Sequence, residues 1–285
     1  MPTSTKKDTA MKTETERVLI TPVVKRGNLG KSTVMSGIAG WLEQRGIAWR
    51  GIDLDPDHRS FARLFPDSVQ AVSPGDEPEG DVIKVLRAVH KAPVSLLDPR
   101  AHLSGTILRA WDMIRFPDTF AEAGGRIVAL LFPADDLEVM DDLNETVTRL
   151  ADRVDYLVVR NPARSARTHM FDGSELEAEL MRHGASFLEV PVLLSIARNH
   201  LAAKEAELNR GIPHAEVVAN TTLGLDPMVR LIVEDWMRVL FRRLDAIAGH
   251  LLPSVLAAKI ASPVEPAVSA NVPVRRGARL NLKSL

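Results

Sequence analysis

Residues 25–33 read Lys-Arg-Gly-Asn-Leu-Gly-Lys-Ser-Thr and directly follow an apolar run, Val18-Leu-Ile-Thr-Pro-Val-Val24. A loop of this kind between a buried strand and a helix is typical of phosphate-binding sites, because its backbone N–H groups and the helix dipole converge on one place. In such a loop Lys31 reaches the outer phosphates and the Ser32 hydroxyl ligates magnesium. The residues predicted to bind nucleotide are Lys25, Gly27, Asn28, Leu29, Gly30, Lys31, Ser32 and Thr33.

The loop departs from the general phosphate-binding pattern, which has a glycine at the place of Lys25. It resembles the deviant Walker A loop of the ParA/MinD family of ATPases, Lys-Gly-Gly-x-Gly-Lys-Ser/Thr, with Arg26 at the family's first, signature lysine. Asn28 replaces the family's second glycine. Asparagine tolerates positive φ angles better than most residues, so it can stand in for a loop glycine.

A second motif, Gly51-Ile-Asp-Leu-Asp-Pro56, follows a predicted strand and resembles the family's Asp-x-Asp-Pro segment. A carboxylate at the carboxyl end of a strand, beside the phosphates, can orient the attacking water or a magnesium-bound water. We expect Asp53 to have this role. Asp55 is expected to cap the turn or the next helix, with Pro56 in the first helical turn.

A third motif, Pro93-Val-Ser-Leu-Leu-Asp98, has the pattern of a buried strand that ends in an acid. It resembles a Walker B segment, whose aspartate approaches magnesium, often through water. The predicted metal-binding residues are therefore Ser32, Asp53 and Asp98. The family usually continues with Thr-Pro-Pro, whereas this chain continues Pro99-Arg-Ala-His102, so the segment that senses the γ-phosphate is expected to behave differently.

Two later strand ends predict where a base would bind. Asn161 ends the run Asp155-Tyr-Leu-Val-Val-Arg and resembles the family's adenine-side asparagine, whose amide can both donate to and accept from a purine edge. A turn formed with Pro162 is an equal alternative. Pro191 ends the next strand and resembles the second adenine-flanking segment. No Asn/Thr-Lys-x-Asp guanine signature is present, so the resemblance favours ATP over GTP.

Strand and helix patterns alternate along the chain. Strands are predicted at 17–23, 47–53, 94–98, 126–132, 154–160 and 186–191, and helices at 32–45, 135–151, 174–183 and 226–252. This alternation predicts an α/β fold with a doubly wound, mostly parallel sheet flanked by helices and ligands at the carboxyl ends of the strands. The expected organisation is a disordered lead over 1–16, an ATPase domain over 17–252, and a disordered Pro/Ala-rich basic tail over 253–285.

Composition excludes several classes of protein. The chain has 285 residues, a formal net charge of −1 and no cysteine, so disulfides, thiolate metal sites and a global basic field for nucleic acid are excluded. No apolar run approaches the roughly 20 residues that span a bilayer. The first 16 residues are polar and lack the apolar stretch of a signal peptide. We therefore expect a cytoplasmic protein.

Basic residues line one side of the predicted helix 226–252. They are Arg230, Arg238, Arg242 and Arg243, and they lie off the apolar stripe of that helix. The first interpretation is a solvated helix face. The alternative is a patch for non-specific contact with the DNA backbone, which related partition ATPases use.

The resemblance implies an ATPase that uses ATP and Mg²⁺ and forms a homodimer on ATP binding, with slow hydrolysis in the absence of a partner. Arg26 of each subunit would reach the other subunit's phosphates, and the neighbouring Lys25 is a rival for this catalytic role beside Lys31. The change between dimer and monomer would be the output, read by an adaptor or cargo-linked protein. Plasmid-encoded relatives of the StbB, TraL and MobD kind point to plasmid partition, plasmid stability or conjugative transfer.

Two other classes of protein share this fold and loop. One contains ATP-dependent biosynthetic enzymes similar to dethiobiotin synthetase and cobyrinate amidase, although the absence of cysteine excludes a fused glutaminase with a cysteine nucleophile. The other is a nucleotide-binding adaptor with little hydrolysis, which the altered segment after Asp98 would permit.

Overall fold

A seven-stranded sheet lies at the centre of the computed structural model, which describes residues 16–261. Its strands are β1 Arg17–Pro22, β2 Trp49–Asp53, β3 Val69–Ala71, β4 Val94–Asp98, β5 Gly125–Leu131, β6 Asp155–Arg160 and β7 Ser186–Glu189. They lie in the order β3-β2-β4-β1-β5-β6-β7, and all neighbouring strands are parallel.

Helices cover this sheet. They are α1 Lys31–Gln44, α2 Ser60–Leu64, α3 Pro78–Leu86, α4 Ser104–Met113, α5 Phe116–Glu122, α6 Leu137–Leu150, α7 Glu175–Arg182, α8 Ser195–Leu208, α9 His214–Ala219, α10 Pro227–Ala246, α11 Ala248–Leu251 and α12 Ser254–Ala261. Helix α10 packs against α1, α8 and α9, whereas α3, α4 and α5 form a second packed group. The predicted fold class, a doubly wound parallel sheet flanked by helices, is confirmed. Between residues 16 and 261, none of the helices has the length and apolarity that crossing a membrane requires.

The interior strands are buried on both faces. In β1, the side chains of Val18, Leu19 and Ile20 are fully buried, and β4 is buried along its whole length. Strands that are covered by helices on both sides are apolar throughout rather than alternating, and this continuous pattern made six of the strands predictable to within two residues at each end. Strand β3 was not predicted, because it has three residues and only Val69 among them is buried.

The long C-terminal helix differs from the prediction. The predicted helix 226–252 is interrupted, because α10 ends at Ala246 and α11 begins two residues later. Arg126, at the start of β5, holds the segment that follows this break. Its guanidinium donates hydrogen bonds to the carbonyls of Gly249 at 3.1 Å, His250 at 2.6 Å and Leu252 at 2.6 Å. These bonds turn the segment after α10 toward the start of β5.

The two ends of the described chain meet beside Arg126. The Glu16 carboxylate accepts from the Arg126 Nε at 3.2 Å and from the backbone N–H of Ser254 at 2.7 Å. Helix α12 follows within the segment 253–285 that was predicted to be disordered, so that prediction is wrong over Ser254–Ala261. The rest of the predicted lead and tail, residues 1–15 and 262–285, lies outside the described residues.

Three sequence motifs meet at the carboxyl edge of the sheet. The loop 25–33 follows β1, and Asp53 and Asp98 end β2 and β4. Strand β4 lies between the other two, and Asp53 and Asp98 are direct partners in the β2–β4 register. Open parallel sheets bind ligands outside the carboxyl ends of their strands, so this edge is where a site is expected.

Candidate functional site

The loop after β1 has the backbone of a phosphate-binding loop. Asn28 and Gly30 both lie in the left-handed region, with φ angles of 63° and 87°. A side chain at Gly30 would also collide with the carboxamide of Asn161, so this position requires glycine for two reasons. Helix α1 begins at Lys31, and the free N–H groups of its first turn therefore lie beside the loop.

A cleft of about 640 Å³ opens above the loop. The loop lines it with Gly27, Asn28, Gly30, Lys31, Ser32 and Thr33. Other loops contribute Asp55, Arg100, His102 and Arg164. The cleft volume falls within the range of about 300–1,000 Å³ that is usual for small-molecule sites.

Lys31 folds back over the loop. Its side chain is buried, and its ammonium donates to the carbonyl of Arg26 at 2.8 Å. Burial lowers the pKa of Lys31, while the carboxylates of Asp98, Asp142 and Asp55 oppose that shift. The ammonium is thus held at the floor of the cleft, where an anionic ligand would gain most from its charge.

Asp98 does not itself line the cleft, but its hydrogen bond with Ser32 places it directly behind a residue that does. Asp98 is 3% exposed, and burial raises its pKa to about 7, whereas a hydrogen bond with Ser32 acts in the opposite direction. The Oδ1 atom of Asp98 is buried and has no hydrogen-bond partner among residues 16–261. A buried carboxylate oxygen without a partner is costly unless a cation or donor completes it.

This pair fits a magnesium ion. Mg²⁺ prefers oxygen ligands and is usually held by one or two protein side chains, with water and phosphate oxygens filling the other positions. The hydroxyl of Ser32 and the unpartnered oxygen of Asp98 meet that requirement. Within the described part of the chain, no group of three or more His, Cys, Asp or Glu side chains could hold a metal ion by itself.

Asp53 does not face the cleft as predicted. It is 1% exposed, and its Oδ1 accepts from the backbone N–H of Asp55 at 2.9 Å. Its Oδ2 accepts from the backbone N–H groups of Phe61 at 3.0 Å and Ala62 at 2.9 Å. Burial raises the pKa of Asp53, and these backbone bonds act against the rise. Asp53 therefore holds the β2–α2 connection in place, and both of its oxygens are already engaged.

Asp55 lines the cleft together with Asp57, a second acid after β2. Its Oδ1 accepts from the backbone N–H groups of Asp57 at 3.0 Å and His58 at 3.1 Å, which is the turn-capping role expected from the sequence. The same side chain thus shapes the loop and faces the place where a phosphate would lie. Of Asp53 and Asp55, only Asp55 lines the cleft.

A second cavity, of about 300 Å³, adjoins the first. Asn161 and Pro191, the two residues predicted to flank a base, both line it. The Pro191 carbonyl accepts from Trp236 Nε1 at 2.6 Å, and the Trp236 ring lies 4.8 Å from the His214 ring. Burial lowers the pKa of His214 to about 4, so that imidazole is neutral at pH 7. The cavity is a mainly uncharged slot beside the phosphate cleft.

The Asn161 side chain is held by the phosphate-binding loop. Its Nδ2 donates to the carbonyl of Leu29 at 3.1 Å. Because a carbonyl can only accept, this bond leaves the acceptor oxygen of Asn161 for the cavity. Its backbone carbonyl also accepts from Arg164 and Ser165, each at 2.9 Å, so the alternative role in a turn is present as well.

Lys25 and Arg26 point away from the cleft in the single chain. Lys25 Nζ lies 3.0 Å from Asp142 Oδ1 and 2.7 Å from Glu145 Oε2, and these bonds raise the pKa of the lysine. Arg26 pairs with Glu138 at 2.9 Å and Asp136 at 3.3 Å. Both cations are therefore bound to α6 or its cap, and neither lines the cleft. The predicted nucleotide contact of Lys25 stays a prediction.

Most arginines of the predicted basic patch on α10 bond to other groups of the same chain. Arg230 donates to the carbonyls of Val217 and Val218, and Arg238 pairs with Asp235. Arg243 bonds the carbonyl and the carboxylate of Glu189. The remaining member of the set, Arg242, is exposed. These contacts favour the first interpretation, a solvated helix face.

Two residues near the site were not predicted. Asp142 is 7% exposed and accepts both the amide and the ammonium of Lys25. Asp142 lies three residues after Val139 and four before Thr146, and both of those residues are buried. An acid on the buried stripe of α6 was therefore the feature of the sequence that could have identified it. Arg164 lines both cavities. The feature of the sequence that could have pointed to Arg164 is Asn28, a polar side chain at a position where the family pattern has glycine.

No protein-family model matches the sequence, and no curated protein matches it. The structure of the MinC:MinD cell division protein complex from Aquifex aeolicus is similar at 14% identity and a TM-score of 0.44, over 79% of this chain and 95% of that one. A ParA family ATPase from Chlorobium tepidum TLS is similar at 13% identity and a TM-score of 0.42, over 78% and 99%.

The signal recognition particle receptor FtsY from Elizabethkingia anophelis, in complex with GDP, is similar at 12% identity and a TM-score of 0.43. That similarity covers 64% of this chain, which spans about three fifths (59%) of the FtsY chain. All three are similarities of fold. In this chain, the loop 25–33 lies between β1, the central strand of the parallel sheet, and the start of α1.

Proposed function

We propose that this protein is an ATPase of the ParA/MinD type that works as an ATP-dependent dimerising switch. The observation that carries the proposal is the pair of Ser32, which lines the cleft, and the buried Asp98 behind it, whose carboxylate has an unpartnered oxygen and interacts with the ammonium of Lys31. A cation and a set of phosphates together would satisfy these groups.

The loop would bind the phosphates before any chemistry occurs. Backbone N–H groups of the loop and the start of α1 would hold phosphate oxygens, and Lys31 would exchange its bond to the Arg26 carbonyl for the outer phosphates. Ser32 and Asp98 would hold Mg²⁺, which when bound neutralises charge on the phosphates. A nearby cation also favours the ionised form of Asp98, whose pKa of about 7 leaves it partly protonated without one.

Asp55 is the residue that we assign to the attacking water. It lines the cleft and faces the loop, whereas both oxygens of Asp53 accept backbone hydrogen bonds. A carboxylate there would accept a hydrogen bond from the water and orient its lone pair toward the γ-phosphate. Asp53 contributes indirectly, because its bond to the backbone N–H of Asp55 fixes the start of that loop.

ATP is the favoured nucleotide. The free acceptor oxygen of Asn161 would receive a hydrogen bond from the exocyclic amino group of adenine, and the same oxygen would face the O6 acceptor of guanine unfavourably. The cavity of about 300 Å³ that Asn161, Pro191 and Trp236 line also contains the neutral His214. Discrimination by one such polar contact amounts to about 10- to 100-fold in affinity.

Dimerisation would give the switch its output. Arg26 of each subunit would release Glu138 and reach the phosphates of the other subunit, where a cation stabilises developing charge. Arginine forks onto two oxygens, which differs from the point charge of a lysine. The cargo that we propose is a plasmid or a conjugative transfer complex, reached through an adaptor protein.

The test is a calorimetric titration of the purified chain with MgATP, MgGTP and ATP in EDTA, with phosphate release and light scattering measured in parallel. We expect MgATP to bind at least tenfold more tightly than the other two and to shift the mass toward a dimer. Asp98→Asn should remove most of the dependence on Mg²⁺ while the sheet stays folded by circular dichroism. Absence of nucleotide binding would refute the proposal, and binding without hydrolysis would favour the adaptor alternative.

A further inference from the structure

Arg164 lies across the phosphate-binding loop. Its Nη1 donates to the side-chain oxygen of Asn28 at 2.8 Å, and its aliphatic stem passes beside Gly30. The residues Ser32, Thr33 and Arg164 line both the phosphate cleft and the base cavity. Arg164 is therefore the cation at the junction of the two cavities, since Lys31 lines only the cleft and Arg198 lines only the base cavity.

The backbone around Arg164 is held against the loop. The Arg164 N–H donates to the carbonyl of Asn161 at 2.9 Å, and the Asn161 amide donates to the carbonyl of Leu29 at 3.1 Å. The turn at 161–165 and the loop at 28–30 are thus linked by side chains in both directions. This arrangement keeps Arg164 at the cleft, where the residue as a whole is exposed and its guanidinium is bonded to Asn28.

The partner of the Arg164 guanidinium is a weak one. Asn28 offers a neutral amide oxygen, whereas a phosphate oxygen carries charge and can accept from both nitrogens of the guanidinium fork. The bond to Asn28 is charge-assisted by the arginine alone, whereas a phosphate adds a negative charge and a second acceptor oxygen for the guanidinium fork. A nucleotide in the cleft would therefore displace Asn28 from Arg164.

We infer that Arg164 is a nucleotide-binding residue that exchanges Asn28 for the phosphate nearest the base when a nucleotide enters. The inference rests on the proposed nucleotide-binding function and adds a cation to Lys31 and Arg26. The position at the junction with the base cavity assigns Arg164 to the phosphate nearest the base, whereas Lys31 lines the phosphate cleft and not the base cavity. Asn28 thus has two properties that suit this position: it adopts a positive φ angle, and its side chain holds Arg164 when no nucleotide is bound.

The experiment compares Arg164→Ala with Arg167→Ala, a neighbouring exposed arginine that lines neither cavity. Affinities for ATP, ADP, AMP and adenosine are measured by displacement of a fluorescent ADP. We expect Arg164→Ala to weaken ATP, ADP and AMP alike by about tenfold and to leave adenosine unchanged. The Arg167→Ala protein should bind all four as the wild type does. A loss for ATP and ADP that spares AMP, or an equal loss for adenosine, would overturn the assignment.

A double-mutant cycle distinguishes phosphate binding by Arg164 from a purely structural role in which Arg164 supports the loop. If Arg164 only braces the loop through Asn28, then Arg164→Ala should have no further effect in an Asn28→Gly background. If it binds the phosphate, the tenfold loss should persist in that background. Thermal unfolding without nucleotide identifies any variant that has lost its fold. Wild-type protein that binds no nucleotide, with or without Mg²⁺, would reject the proposed function itself, whereas wild-type binding that Arg164→Ala leaves intact would reject this inference alone.

Discussion

The guanidinium of Arg26 lies 2.9 Å from the carboxylate of Glu138 in the same chain. This ion pair keeps Arg26 on the surface of its own subunit, although Arg26 is the residue that would have to cross a dimer interface. Arg26 is about half exposed and Glu138 more so, and exposed ion pairs contribute only about 0.2–1 kcal/mol. The pair is therefore weak enough for a partner subunit's phosphates to break.

The first prediction concerns this exchange. Glu138→Ala removes the competing carboxylate, so ATP-dependent dimerisation should strengthen about two- to fivefold, as measured by analytical ultracentrifugation. Arg26→Ala should weaken dimerisation and hydrolysis by more than about tenfold, because a cation at the phosphates is lost. The control is Glu145→Ala, which loosens Lys25 instead and should not strengthen the dimer. Stronger dimerisation of the Glu145 variant alone would make Lys25 the cross-subunit residue.

Lys31 is expected to dominate affinity for the outer phosphates. Lys31→Ala should reduce ATP affinity by about a hundredfold, because the cleft floor loses the buried ammonium that offsets phosphate charge. ADP should lose less than ATP, since fewer of its oxygens reach the lysine. Lys91→Ala, at an exposed lysine away from the cleft, serves as the control in the same calorimetric titration. Equal losses for ATP and ADP would contradict the assignment of Lys31 to the outermost phosphate.

The two acids after β2 should separate in their effects. Asp53→Ala leaves the N–H groups of Asp55, Phe61 and Ala62 without their acceptor, so the free energy of unfolding should fall by about 2–5 kcal/mol. Asp55→Asn keeps an oxygen for its turn bonds and should unfold at nearly the wild-type temperature, with hydrolysis reduced by more than about tenfold. Denaturant titration and phosphate release measure the two effects. A stable Asp53→Ala protein that still binds ATP but does not hydrolyse it would return the water-orienting role to Asp53.

Asp98 predicts a dependence of stability on pH. Its pKa is about 7 in the folded chain and 3.8 in the reference state, so the folded protein binds the extra proton between these values. Stability therefore falls as pH rises from about 4 to about 7, by up to roughly 4 kcal/mol from this group. Asp98→Asn should remove that slope, and its melting temperature should exceed that of the wild type at pH 8 without Mg²⁺. Identical slopes for the two proteins would show that Asp98 ionises normally.

Magnesium should reverse the loss of stability that the ionisation of Asp98 causes. A cation at Asp98 favours the ionised carboxyl, so the affinity for Mg²⁺-nucleotide should increase from pH 6 to pH 8 and the melting temperature at pH 8 should rise on adding both. Differential scanning calorimetry with and without EDTA measures the change. Asp98→Asn is the matched control and should show little response to the metal.

The strands, the phosphate-binding loop and the acid at the end of β4 could be predicted from the sequence, because each depends on a short run of residues. Strands buried on both faces are continuous apolar runs, and a loop before a helix needs glycine or asparagine where φ is positive. The order of Lys31, Ser32 and Asp98 along the chain was enough to bring them to one edge of a parallel sheet. The fold class and these three residues were thus available before any coordinates.

Only the tertiary structure decided which neighbouring residue faces the cleft. Asp53 and Asp55 are two residues apart after the same strand, and their roles depend on where α2 places the N–H groups of Phe61 and Ala62. Likewise, α6 engages Lys25 and its capping region engages Arg26, while the turn at 161–165 brings Arg164 over the loop. The contacts of Lys25, Arg26 and Arg164 join residues more than 100 positions apart. At that separation, the local sequence pattern carries no information about the distance between two side chains.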